Sequence, residues 1–209
     1  MNKTTRITAA VVGGYAGILG VVHGVFEFLQ GNSPTSGLLI NAVGAPCQVE
    51  AAWHACLPAV TIVPSFRLSG TLAVFVSLSI FIWAVFLLDR KQGGLVLVVL
   101  SIPLLLVGGG FVPALTAIIA GIAGTRIHAP LAYFRKRLPE RIVRFLSMLW
   151  PWALIGFTAW SAGGWILGTL FNDLMLFLGP ILFPLDLLLP ILAVLTGMGR
   201  DVIVVNISE

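Results

Sequence analysis

Apolar residues in this chain do not alternate with polar ones. They run on for stretches long enough to cross a bilayer, and the charged residues gather in the gaps. A hydrocarbon layer about 30 Å thick takes roughly 20 helical residues. Runs near that length fall at about 8–29, 69–88, 148–170 and 174–197, the second set off by Arg67 and Asp89. The stretch from Gln92 to Thr125 carries no charge. As one helix it would be about 50 Å long, too long for a single upright crossing. Gly108-Gly109-Gly110 and Pro113 stand near its middle. Glycine accepts turn dihedrals that other residues resist, and proline suits the first turn of a new helix. The stretch is therefore predicted to be a hairpin of two short spans, 93–108 and 111–126, which thin the bilayer locally or are shielded by neighbours.

The expected fold class is all-α: a polytopic helical membrane protein of six transmembrane spans, forming a single integral membrane domain over 1–209. Charge orients it. With six crossings, Lys3, Arg6, Arg90, Lys91, Arg126, Arg135, Lys136, Arg137, Arg141, Arg144 and Arg200 all fall on one side, and only Arg67 falls on the other. A single crossing of 92–125 would separate Arg90 and Lys91 from the cluster that follows. The positive-inside rule selects two crossings, with both termini cytoplasmic and the cell membrane as location. Trp150 and Trp152 then lie at the inner end of the fifth span, where aromatic residues favour the interface.

Composition agrees. Hydrophobic residues make up 58% and charged residues 10%, whereas soluble domains carry roughly 25% charge. The net charge of +4 does not imply nucleic acid, because the basic residues lie between spans. The lipid bilayer, with anionic headgroups on the inner face, is the expected partner. Ile7 to Val22 follows Lys3 and Arg6 as a leader's apolar region would. No A-x-A-like cleavage site follows it and glycines interrupt it, so it reads as the first span.

Two loops stand out. The outer loop, 31–67, is apolar at Leu38-Leu39-Ile40 and from Ala59 to Val63, and is expected to pack back onto the spans. It holds Cys47 and Cys56, which read as a disulfide if that face is oxidising, or as two free thiols. The inner loop, 126–147, places Leu131, Phe134, Leu138, Ile142 and Phe145 at spacings of three or four, with Pro139 as a break. It reads as an interfacial helix holding anionic lipid through Arg135, Lys136, Arg137, Arg141 and Arg144, or as a loop that only sets topology.

Small residues mark the packing faces. Gly13, Gly17, Gly20 and Gly24 lie on one face of the first span. Ala117, Ala120, Gly121 and Gly124 mark the fourth, and Gly156, Ala159, Gly163, Gly164 and Gly168 the fifth. Such faces let backbones approach closely. They serve packing within the chain, a homo-oligomer or a larger membrane complex.

Three ionisable residues fall within spans, where a charge is costly and invites a functional reading. His23 and Glu27 are four apart, so their side chains meet. With His54 of the outer loop they could share a proton or hold a metal; the structural alternative is a pair that locks the outer loop onto the first span. Asp186 is expected near the middle of the sixth span, between Pro184 and Pro190. Each proline deprives a carbonyl of its helical partner, and kinked helices in transporters bind protons or cations with such groups. The alternative is a neutral acid bonded to a neighbour.

No G-x-S-x-G elbow, phosphate-binding loop or H-E-x-x-H motif occurs, and no cofactor is expected. The leading expectation is a non-enzymatic accessory or structural membrane component that packs or associates through small-residue helix faces. A small transporter or permeation protein with a proton or cation site at Asp186 stands second. A metal-dependent membrane enzyme using His23 and Glu27 stands third.

Overall fold

The computed structural model describes residues 1–35, 37–41 and 58–208. Eight α-helices carry about three-quarters of them: α1 (Lys3–Leu29), α2 (Phe66–Ile82), α3 (Gly93–Leu106), α4 (Phe111–Gly124), α5 (Ala132–Arg137), α6 (Glu140–Leu170), α7 (Asn172–Leu182) and α8 (Leu185–Ser208). Helix α2 runs on as a π-helical turn, Trp83–Leu87. Two short strands, β1 (Leu39–Asn41) and β2 (Pro58–Val60), pair antiparallel with Leu39 opposite Val60. Among the described residues four helical segments are long and apolar enough to cross a membrane: Lys3–Leu29, Phe66–Leu87, Glu140–Leu170 and Leu185–Val204. The chain is a membrane protein on that ground. Helices α3 and α4 are apolar but shorter.

Helix α1 is the centre of the bundle, packed against α2, α4 and α8. Its glycine face is filled from inside the chain. A side chain on Gly13 would collide with Ala84, one on Gly17 with the backbone of Phe81, and one on Gly24 with the Gly70 carbonyl and the Val74 nitrogen. Helices α3 and α4 meet in the same way: Gly94 lies against the backbone of Gly121 and Gly124. Around these contacts Val12, Ala16, Ile80, Leu97, Leu104 and Ala117 form a dry core.

The predicted hairpin forms. Gly108 and Gly110 adopt φ of 87° and 85°, a region closed to most side chains. The turn also binds the loop, since the Gly108 amide donates to the Val60 carbonyl and the Ile62 amide to the Leu106 carbonyl. The apolar segments around Ile40 and Ala59 thus pack back onto the helices, with Phe66 completing a small cluster. Cys47, His54 and Cys56 lie outside the described residues.

At the far end of α1 a group of polar contacts joins distant segments. The Asn2 side chain donates to the carbonyls of Arg126 and Ala129. Arg6 pairs with Asp89 at 3.7 Å, and His128 Nε2 lies 2.8 Å from the Asp89 carbonyl oxygen. Asp201, buried on α8, accepts from the Thr4 and Thr5 amides at 2.9 and 2.7 Å and from the Thr5 hydroxyl at 2.7 Å. The first amides of a helix have no partner of their own and carry partial positive charge. A carboxylate from another helix supplies what Asn2 does not, because Asn2 makes no side-chain cap. Trp150 completes this basic end, donating to the Thr8 hydroxyl at 2.8 Å and lying 4.9 Å beneath the Arg200 guanidinium.

Three sequence expectations need correction. The sixth span is not one helix over 174–197: it breaks at Phe183-Pro184 into α7 and α8. Residues 140–147 are not a separate interfacial element, because α6 starts at Glu140 and continues through Pro151 into the expected fifth span. The apolar row of the basic loop splits at Pro139, so Leu131 and Phe134 are buried while Ile142 and Phe145 on α6 are exposed.

Asp201→Ala should remove three hydrogen bonds to a charged acceptor and bare the start of α1. The expected cost is about 2–4 kcal/mol, read as a lower Tm in detergent, with Asp201→Asn losing less. An unchanged Tm for Asp201→Ala would show that the first turn of α1 finds other partners.

Candidate functional site

Two polar clusters lie inside the bundle. The first is built on the last turns of α1. His23 and Glu27 are four residues apart, and both are buried, Glu27 with 0% exposure. Their approach is 3.8 Å, from His23 Nδ1 to Glu27 Oε1, too long for a hydrogen bond. Instead His23 Nδ1 lies 3.1 Å from the carbonyl oxygen of Gly108. A carbonyl only accepts, so Nδ1 carries a hydrogen, and Nε2 is left to face elsewhere. That second nitrogen sits over Gly110, beside a small apolar hollow lined by Leu19, Pro58, Phe111, Pro113 and Phe183.

Glu27 is the unusual member. Neither carboxylate oxygen accepts a hydrogen bond among the described residues. Both press onto Gly108, where any Cβ would collide with them. The glycine turn is thus shaped by two demands, positive φ and room for a carboxylate. Beside it runs a chain of hydroxyls. Thr61 Oγ1 and Ser69 Oγ are 2.8 Å apart, Ser69 donates to the Val107 carbonyl at 2.9 Å, and the Val63 amide donates to Thr61 Oγ1 at 3.1 Å. Helices α1 and α2, the loop and the α3–α4 turn therefore all converge on one buried acid. Sequence reasoning found His23 and Glu27 but not Ser69 or Thr61, because serine and threonine in a long apolar chain carry no pattern that separates a partner from a filler.

The second cluster surrounds Asp186. This residue stands in the first turn of α8 rather than near mid-helix, because the kink expected at Pro184 is a full break between two helices. Its carboxylate acts electrostatically on Tyr15, which is close to the midpoint of α1. Trp160 Nε1 donates to Asp186 Oδ1 at 2.8 Å. The Tyr15 hydroxyl faces Ser161 and Trp165 of α6, and its ring meets Phe157 edge-on at 5.5 Å. A carboxylate at a helix start is favoured by the helix dipole, so the break at Pro184 supplies Asp186 with a positive helix end. Pro190 lies within α8, where it removes the hydrogen-bond donor for the Asp186 carbonyl. A cavity of about 400 Å³ between α1 and α6 lies beside these residues, lined by Val11, Tyr15, Ile18, Phe157 and Trp165. Its walls are almost wholly apolar, so it is suited to hydrocarbon rather than to hydrated ions.

The structure keeps the two clusters apart, one at the glycine-turn end and one at mid-bundle. Among the described residues no three His, Cys, Asp or Glu side chains gather as a metal site; His54, the third ligand considered for His23 and Glu27, lies outside them. Lys136 and Arg137 on α5 and Arg141 and Arg144 on α6 are exposed, and Arg144 pairs with Glu140 at 2.6 Å. Arg135 belongs to α5. Comparison with protein-family models, with curated proteins and with solved structures finds no match.

Gly108→Ala should lower stability through both the collision with Glu27 and the positive φ. Combining it with Glu27→Ala should recover the steric part and leave the backbone part, about 1–2 kcal/mol. A double-mutant cycle on Tm measures the coupling; strict additivity would mean that the acid and the turn do not share the contact.

Proposed function

We propose that this protein is a non-enzymatic accessory component of the cell membrane that associates with other membrane helices through α6. The observation that supports this is a division of labour among the small residues. Those of α1 and α4 are consumed inside the chain, but the row on α6 splits between two faces. Gly164 and Gly168 are buried in the bundle with Ala153 and Phe157. Gly156, Ala159 and Gly163 face away: a Cβ at Gly156 or Gly163 would meet nothing within 4 Å, and Ala159 is exposed. Trp152 and Ile166 extend this open side, at 71% and 59% exposure. In lipid, helices associate by close van der Waals contact, and a smooth small-residue surface permits it. The partner is a second copy or another membrane helix of similar smoothness.

In this reading the chain crosses the bilayer six times, with α3 and α4 as a short hairpin and both termini cytoplasmic. The contacts of Asn2 with 126–129, of Arg6 with Asp89 and of the α1 amides with Asp201 gather the basic segments at one end, as the positive-inside rule requires of the cytoplasmic face. Single cysteines at Lys91 and Arg137 should both be labelled only from the cytoplasm. External labelling of Arg137 alone would reduce the hairpin to one crossing.

A second reading, a small proton or cation transporter, is favoured by one observation: a fully buried carboxylate, Glu27, without a hydrogen-bond partner among the described residues. It shifts the site to test first from Asp186, held by Trp160, to Glu27. Proteoliposomes that lose an ion flux on Glu27→Gln, but keep it on Asp186→Asn, would establish this reading against the first.

For the association reading, Gly156→Leu and Gly163→Leu should reduce the native mass of the detergent-solubilised protein without lowering Tm, because the added side chains enter empty space. An unchanged native mass in both variants would sink it.

A further inference from the structure

A second apolar hollow, about 530 Å³, lies between α4 and α8 and is closed at the basic end by residues 130–134. Ile122 of α4, Leu195 and Met198 of α8, and Leu131 and Phe134 from the connecting segment line it. Arg126, just beyond the end of α4, also lines it and is itself exposed. Among the described residues no acidic side chain pairs with Arg126. Along α8 the lining runs from Ile191 to Met198, about 10 Å at helical rise. The hollow is therefore an apolar slot with one guanidinium at the end where headgroups lie.

We propose that this groove holds an anionic phospholipid of the cytoplasmic leaflet, one acyl chain in the slot and the phosphate on Arg126. The inference rests on the membrane reading above and adds a specific site to it. The energetics assign the roles. An acyl chain leaving bulk lipid for an apolar slot gains little, because lipid tails are as apolar as leucine. Selectivity must then come from the headgroup. A guanidinium matches a phosphate with two parallel N–H donors, which an exposed lysine cannot do. Phe134 fixes the other wall: it is 92% removed from solvent and stands on α5 between Tyr133 and Arg135, next to the exposed cations Lys136 and Arg137. These add to the local positive potential without lining the slot. An anionic lipid is thus bound at one guanidinium and attracted by two further charges, whereas a zwitterionic lipid gains less from both.

The test is native mass spectrometry of the full chain in neutral detergent with equimolar phosphatidylglycerol and phosphatidylcholine. The wild type should retain phosphatidylglycerol about five-fold over phosphatidylcholine. Arg126→Gln should abolish the preference, while Arg141→Gln, a cation outside the slot, should leave it. Leu195→Trp, or Ile122→Trp if the first variant loses its helical circular dichroism, should fill the slot and remove both lipids. No preference in the wild type, equal losses from Arg126→Gln and Arg141→Gln, or lipid retained by a folded slot-filling variant would each overturn the proposal. A doubled mass in place of bound lipid would instead assign the groove to a second copy. Flotation with liposomes separates the two levels: a chain that fails to float refutes the membrane reading, and one that floats without lipid preference refutes only the groove.

Discussion

In a lipid solvent, apolar side chains gain nothing by leaving hydrocarbon for each other, so a helix bundle is held by how closely its backbones approach. The α1–α2 contact is the place where this constraint acts most strongly. Gly24 and Gly70 sit backbone to backbone, with Gly17 against Phe81 about two turns away along α1 and about three along α2. That proximity lets α1 be enclosed along its length, and α4 and α8 then pack against its remaining faces. Helix α6, by contrast, is the least enclosed of the four long helices. Burial therefore falls from the first helix outward, and the polar interior groups follow it. The most enclosed acid, Glu27, is on α1, while Asp186 sits where α1, α6 and α8 come together.

The ends of α1 are treated differently. At the basic end Asp201 takes the Thr4 and Thr5 amides, Asn2 clamps the 126–129 turn and Arg6 pairs with Asp89, with Arg6 Nε left without a hydrogen bond among the described residues. At the other end a carboxylate stands without a hydrogen bond among the described residues, against a turn made by glycines at positive φ. Satisfied polar groups rigidify a structure, whereas an unsatisfied one stores free energy that a bound species can release. The first end is built as a fastening. The second is where chemistry, if the chain has any, would begin.

Much of this was legible in the sequence, for identifiable reasons. The hairpin could be read because length excluded one crossing and three glycines marked the turn. The packing faces of α1 and α4 could be read because small residues recur at helical spacing. Asp186 was misplaced within its helix because Pro184 and Pro190 read alike as kinks, and only the backbone shows that two helices meet at the first while the second lies inside α8. The division of the α6 glycines was hidden too, because Gly163 and Gly164 are neighbours only about 100° apart around the helix, and the boundary between the open and the buried side falls between them. Asp201 went unread as a partner because its counterpart, the start of α1, is at the other end of the chain.

That last separation has a consequence for how the protein is made. The Thr5 amide and the carboxylate it bonds are 196 positions apart. Helix α1 is synthesised before α8, so Asp201 reaches its leading amides only after α8 has left the ribosome. The fastening at the basic end thus records that translation has reached α8. A chain that stops short of Asp201 carries an open first turn on α1.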